Sequence, residues 1–208
     1  MKKRHTLERF EIRLSGTGGQ GVLTLGRILG SSLALGHGYQ VTQTQSYGPE
    51  ARGGASRTDL VVSSHAISYP KTELLDLLVA LSPEACNSYY RYLKPTGLLV
   101  VDSGLVTQPP TNIHTGIPFT ALAREKVGNI LATNSVVLGA LAHLLFFADP
   151  RRIKQALHDA LPEKLRALNI KAFALGLKEA GKAFGPDDSI WKNVAAATKR
   201  RTDSEPME

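Results

Sequence analysis

Cysteine is nearly absent from this sequence: Cys86 stands alone among 208 residues. An intrachain disulfide is therefore excluded. So is an iron–sulfur cluster held by this chain alone, since such clusters need about four thiolate ligands, and so is a zinc site built on cysteines. Cys86 lies in "SPEACNSYY", a helical pattern, and reads as a small, half-buried apolar side chain. Long hydrophobic runs are missing too. No stretch of about 18 apolar residues occurs, so nothing should span a membrane. The opening "MKKRHTLERF" is basic with no apolar stretch behind it, unlike a secretory signal, and a cytoplasmic chain is expected. The six histidines are scattered without metal-ligand spacing, and no metal site is expected. There is no G-x-S-x-G nucleophile elbow and no phosphate loop ending in Gly-Lys-Ser/Thr. Aromatic residues make up only 6% and show no stacking pattern for single strands.

The net charge of +7 sits at the two ends: +3 over residues 1–13, zero over 14–150 and +4 over 151–208. A nucleic-acid protein more often gathers charge on a recognition face, so the excess reads as solvated helix and tail surface, with no nucleic-acid partner.

What is present is enough for one substantial core, with 42% hydrophobic and 21% charged residues. "FEIRLSG" (10–16) alternates as a strand does and runs into "GTGGQG" (16–21). Residues 22–36 follow with apolar side chains at helical spacing, and Gly26 and Gly30 share a face where a neighbour can pack closely. Strands are expected at 39–45, 56–64, 76–82 and 98–103, with a helix at 83–93 capped by Ser82. Residues 104–118 read as a loop. Helices are expected at 134–147, at 149–161 behind an Asp149 cap, and at 162–184. Alternating strands and helices predict an α/β fold: three layers, a largely parallel sheet with helices on both faces, a Rossmann-like first β-α-β unit and a helical C-terminal third. The expected division is a flexible basic N-terminus over 1–9, a single domain over 10–190 and a polar tail over 191–208.

The candidate ligand loop is Gly16, Thr17, Gly18, Gly19, Gln20 and Gly21. Glycines there let the backbone turn tightly and approach a ligand, and the helix behind offers free N–H groups and a positive dipole end to an anion. A dinucleotide site also needs an acid at the end of the second strand, about 20 residues on. "YQVTQTQ" has none; the first acid is Glu50, in the loop beyond. Two readings stay open: a phosphate or coenzyme A site, or glycines that only permit close strand-to-helix packing. Asp102 and Ser103 end a strand and read as caps of the next turn; His143 reads as a satisfied core histidine.

The blocks "SGTGGQGVLTLGRILG", "TQTQSYGPEARGGASRTDLVVS", "ISYPKTELLDLLVALSPEA" and "LLVVDSGLV" together resemble the gamma subunit of 2-oxoacid:ferredoxin oxidoreductases, the 2-oxoglutarate type above all. The likeness runs from about residue 10 to 145, in family order, and "QSYGPEARGG" is its most specific part. The resemblance implies a subunit of an enzyme that converts a 2-oxoacid and coenzyme A to an acyl-CoA and carbon dioxide, passing two electrons to ferredoxin. Thiamine diphosphate, Mg and iron–sulfur clusters would lie on the alpha, beta and ferredoxin-like delta partner subunits, in agreement with the single cysteine here. This chain would hold no catalytic residue, would be inactive alone, and would line the coenzyme A channel. On that reading Tyr47, Gly48, Pro49 and Glu50, with Arg52, Gly53, Gly54 and Arg57, form an interface or channel wall. The arginines suit a carboxylate or phosphate, Glu50 can hold Arg52, and Tyr47 offers an apolar face with a polar tip. A salt bridge that merely braces the loop is the competing reading. The competing functions are a free-standing dinucleotide-dependent enzyme and a coenzyme A-binding module.

Overall fold

The computed structural model describes residues 5–46, 55–111, 114–185 and 190–191. Six strands form one sheet in the spatial order β2-β3-β1-β4-β5-β6. β1 (Phe10–Thr17) pairs in parallel with β4 (Leu75–Ala80), β4 with β5 (Leu93–Asp102), and β5 with the short edge strand β6 (Thr115–Ile117). β3 (Ala55–Ser63) runs antiparallel both to β1 and to the other edge strand, β2 (Gln40–Ser46). β3 alone opposes the rest, so the sheet is largely parallel, as expected.

The first β-α-β unit departs from the Rossmann pattern in one respect. β2 runs parallel to β1 but is not its neighbour, because β3 is inserted between them. The chemistry of the strands suits this order. β1 and β3 are almost wholly buried and take interior places, whereas β2, "QVTQTQS", is polar, half-buried and fit for an edge. The stretch expected as a loop over 104–118 contains β6. Its three residues are too few for alternation to register in the sequence.

One face of the sheet carries the main core. α1 (Val22–Ser31), α4 (Thr133–Leu144), α5 (Pro150–Ala160) and α6 (Glu163–Phe184) pack their apolar sides against Ile12, Leu14, Leu60, Val62, Leu77 and Val79. α1 continues as a π-helical turn, Ser32–Gly36. α3 (Phe119–Leu122) inserts the fully buried Phe119. α5 begins as the sequence indicates, with Asp149 accepting the Arg151 N–H at 2.9 Å and Pro150 in the first turn.

The second face is thinner. α2 (Pro83–Tyr89), started by Ser82 accepting the Ala85 N–H, covers β4 and β5, and Cys86 is fully buried against Leu75, Leu78, Leu99 and Val101. Burial pushes the Cys86 thiol up, as expected of an inert packing residue. The segment from Ser64 to Leu74 crosses the β1 and β3 side. It is held by charged groups of the sheet: Arg9 donates to the carbonyls of Tyr69 and Lys71, and Glu11 accepts the Glu73 N–H at 2.6 Å.

Two residues outside the span 10–190 pack against the domain. Leu7 is buried, and its N–H donates to Ser64 Oγ, so packing begins before Phe10. Trp191, expected in the tail, packs edge-on against Phe10 and Phe146 and donates from Nε1 to the Leu144 carbonyl at 2.7 Å. Among the described residues no helix is long and apolar enough to cross a membrane.

Candidate ligand site at the sheet edge

The glycine loop leaves the end of β1 and enters α1 through two turns of positive φ, Gly19 at 90° and Gly21 at 68°. Gln20 organises it. Its Oε1 accepts the Thr17 N–H at 2.7 Å, and its Nε2 donates to the Leu81 carbonyl at 3.0 Å. Gly16 has to lack a side chain, because a Cβ there would collide with the Gln20 amide. Gly21 has a neighbour as well: a Cβ would overlap the Asn134 amide in the first turn of α4. Gly26 and Gly30 let β3 approach closely, through Thr58 and Leu60, as the sequence suggests.

Gly18 is different. Its φ is not positive, and nothing lies within 4 Å of the place a Cβ would take. Neither backbone geometry nor packing among the described residues accounts for it. The packing-only reading therefore explains Gly16, Gly21, Gly26 and Gly30, and leaves Gly18 without a described neighbour.

The local field favours an anion. No side chain caps the first turn of α1, and that turn holds no acid. The same is true of α4, whose Asn134 meets Gly21. The start of α1 therefore offers free N–H groups beside the loop, whereas α4 continues from the 3-10 turn Ile130–Ala132, whose Ile130 carbonyl takes the Thr133 N–H. The Asn134 Oδ1 is buried with no hydrogen-bond partner. Thr24, Asn134 and several leucines line a cavity of about 180 Å³ beneath, well under the ~300 Å³ at which cofactor-sized sites begin.

Arg57 stands at the same edge. The register pairs Gly16 with Ser56 and Thr17 with Ala55, and Ser46 pairs with Arg57. Both ends of the loop that joins β2 to β3 are thus beside the glycine loop. Tyr47, Gly48, Pro49, Glu50, Arg52, Gly53 and Gly54 lie outside the described residues. The Arg57 guanidinium lies 5.4 Å from the ring centre of Tyr89, and its Nε is 3.9 Å from Asp59 Oδ2, too long for a hydrogen bond. Asp59 is committed instead to Arg13, at 2.7 and 2.8 Å, and to Thr72. Arg57 is one-third exposed, and among the described residues no hydrogen bond engages its guanidinium, a group suited to an oxyanion.

The remaining candidates are structural. Asp102 is fully buried, accepts the Gly104 N–H and takes both the N–H and the hydroxyl of Thr120 in the first turn of α3. His143 contacts the Gly185 carbonyl at 2.8 Å. Sequence reasoning missed Asn134 and Tyr89. Asn134 is signalled by "TNS" opening an apolar helix without an acid, and Tyr89 by its three-residue spacing from Tyr92, which puts both rings over Arg13.

Comparison with known proteins gives a consistent set. Residues 11–179 match the family described as pyruvate ferredoxin/flavodoxin oxidoreductase. The chain is 40% identical over 184 residues to the 2-oxoglutarate synthase subunit KorC of Methanocaldococcus jannaschii, covering 86% of this chain and 98% of that one. Among solved structures, it resembles the gamma subunit of the keto/oxoacid ferredoxin oxidoreductase from Geobacter sulfurreducens PCA, with a TM-score of 0.78 and 37% identity over 85% of this chain and 99% of that one. The fold also recurs in 2-oxoglutarate:ferredoxin oxidoreductase from Magnetococcus marinus, solved with 2-oxoglutarate, coenzyme A and succinyl-CoA bound. There the TM-score is 0.75 at 24% identity, covering 85% of this chain but 32% of that one.

Proposed function

The chain belongs to the pyruvate ferredoxin/flavodoxin oxidoreductase family, as a gamma subunit, and from this we propose that it completes a 2-oxoglutarate-oxidising complex by forming one wall of the coenzyme A channel. The names of its relatives support 2-oxoglutarate as the oxoacid. A single cysteine is too few for an iron–sulfur cluster held by this chain alone, since such clusters need about four thiolates. The iron–sulfur centres, thiamine diphosphate and Mg are therefore assigned to the alpha, beta and ferredoxin-like delta subunits, and the isolated chain is expected to be inactive.

Coenzyme A supplies the thiol that accepts the acyl group. This chain's contribution is binding. The loop from Gly16 to Gly21 and the uncapped start of α1 suit a phosphate, and Arg57, braced on Tyr89, suits a second anionic group. The observation that carries this reading is Gly18, whose missing side chain meets nothing among the described residues and leaves room there for close approach of a ligand.

Two measurements test it. A tagged chain purified from its native host should bring down larger subunits bearing thiamine diphosphate and clusters; recovery of the chain alone would sink the subunit reading. Thermal melting with coenzyme A, its form lacking the ribose phosphate, NAD(H), NADP(H) and FAD tests the site. Coenzyme A should raise Tm and the nicotinamide and flavin nucleotides should not, because binding to the folded state stabilises it by mass action. A clear shift with a dinucleotide instead would favour the free-standing enzyme.

A further inference from the structure

We propose that the cavity between the π-helical turn Ser32–Gly36 and α5 binds a small organic anion, with Arg27 and Arg152 holding its oxyanion and Ile28, Leu35 and Ala156 contacting its hydrocarbon part. The cavity measures about 530 Å³, within the ~300–1,000 Å³ typical of small-molecule sites. It opens along the C-terminal half of α1, away from the glycine loop at the other end of that helix. The π-turn lines one side of it through Ser32, Leu35 and Gly36. An extra residue in the turn displaces the chain outward, and such insertions are frequent at functional sites.

The cavity lining carries two guanidinium groups against one carboxylate. Arg27 makes no hydrogen bond or ion pair among the described residues. Arg152 donates to a neutral acceptor, the Gly36 carbonyl. That carboxylate, Asp159, accepts from Gln155 Nε2, also in the lining, at 2.9 Å and lies 3.0 Å from His158 Nδ1. An independent sign comes from Ser32. It is 2% exposed, it lines the cavity, and its hydroxyl has no hydrogen-bond partner, a state that buried polar groups rarely tolerate. Leu35 stands at the rim, 87% exposed. Two guanidinium groups and two serine hydroxyls beside an apolar wall match an oxyanion carried on a hydrocarbon body.

The test uses the full-length chain, with phenyl phosphate and inorganic phosphate as probes, at ionic strength held constant with chloride. Backbone NMR should show saturable shifts at Ser31–Gly36 and Arg152 with phenyl phosphate, and weaker ones with phosphate. Arg27→Gln, an exposed substitution that should leave Tm unchanged, should weaken phenyl phosphate binding by roughly tenfold or more, the usual effect of losing a charge-assisted hydrogen bond. Ser32→Ala should weaken it less. Shifts no larger than chloride produces, shifts confined to Gly18–Val22, or unchanged affinity in Arg27→Gln would each overturn the proposal. Equal affinity for phosphate and phenyl phosphate would overturn its organic part.

Discussion

Gln20 Nε2 donates to the Leu81 carbonyl at 3.0 Å, so the loop that follows β1 is tied to the end of β4 by a side chain of the loop itself. The same amide accepts the Thr17 N–H at 2.7 Å. A loop with four glycines would otherwise sample many conformations. Gln20 holds it in one, so the open face at Gly18 is preorganised.

Removing that tie should loosen the loop without unfolding the domain. Gln20→Ala forfeits two partly buried hydrogen bonds, each worth about 0.5–1.5 kcal/mol net. The expected result is a small fall in Tm and faster amide hydrogen exchange confined to residues 16–21. Unchanged exchange there would show that the backbone alone sets the loop.

Gly18→Ala and Gly21→Ala should separate function from folding. No described residue lies within 4 Å of a Cβ at Gly18 and its φ is not positive, so stability should stay within about 0.5 kcal/mol of the parent, the usual range for a neutral surface change. Coenzyme A binding or subunit assembly should nonetheless weaken. Gly21→Ala forces a left-handed backbone on alanine, costing about 1–2 kcal/mol, and also collides with Asn134. It should lower Tm by at least about 2–4 °C. A Gly18→Ala protein that assembles and binds normally would remove the main support for the channel reading.

Most of the fold was legible because its elements carry strong periodic or capping signals. Ser82 and Asp149 marked helix starts that the structure reproduces, β1 read as an alternating strand, and β4 and β5 read as buried runs. Strand order was not legible. Nothing in "SRTDLVVSS" says that it slots between β1 and β2, because pairing partners are chosen by tertiary contacts and not by local pattern. The site was half legible. Spacing exposes the glycines, but Gln20 as a staple and Asn134 as a neighbour depend on residues far apart in sequence.

Arg13 and Asp59 test how the second face is built. The pair is bidentate, Arg13 is 4% and Asp59 5% exposed, and Tyr89 and Tyr92 roof the guanidinium at 4.9 and 5.3 Å. Asp59→Ala leaves a buried charge unpaired and should cost about 3–5 kcal/mol. Arg13→Met combined with Asp59→Leu should recover much of that loss. Denaturant unfolding of the two singles and the double gives the coupling energy. Strictly additive losses would mean that the pair does not act as a unit.

His37 should give the protein a mildly acid-sensitive joint. Its Nε2 accepts the Asp149 N–H at 2.7 Å, and its Nδ1 lies 2.8 Å from the Ser32 carbonyl, to which it donates. That pattern requires the neutral ring with its proton on Nδ1. Burial holds its pKa below the usual 6.5, and the nearby Arg152 charge adds to this, while the Ser32 hydrogen bond and Asp149 oppose it. With the folded value lowered, the unfolded chain binds the extra proton more readily. Stability from this group is therefore complete above about pH 6.5 and lost as pH falls through the folded value. Protonation would set an N–H of the ring against the Asp149 N–H and part the π-turn from the start of α5. Tm measured from about pH 8 down to 5 should fall more steeply in the parent chain than in His37→Gln, and the difference between the two curves cancels the other histidines. Parallel curves would mean that the His37 proton is not linked to folding.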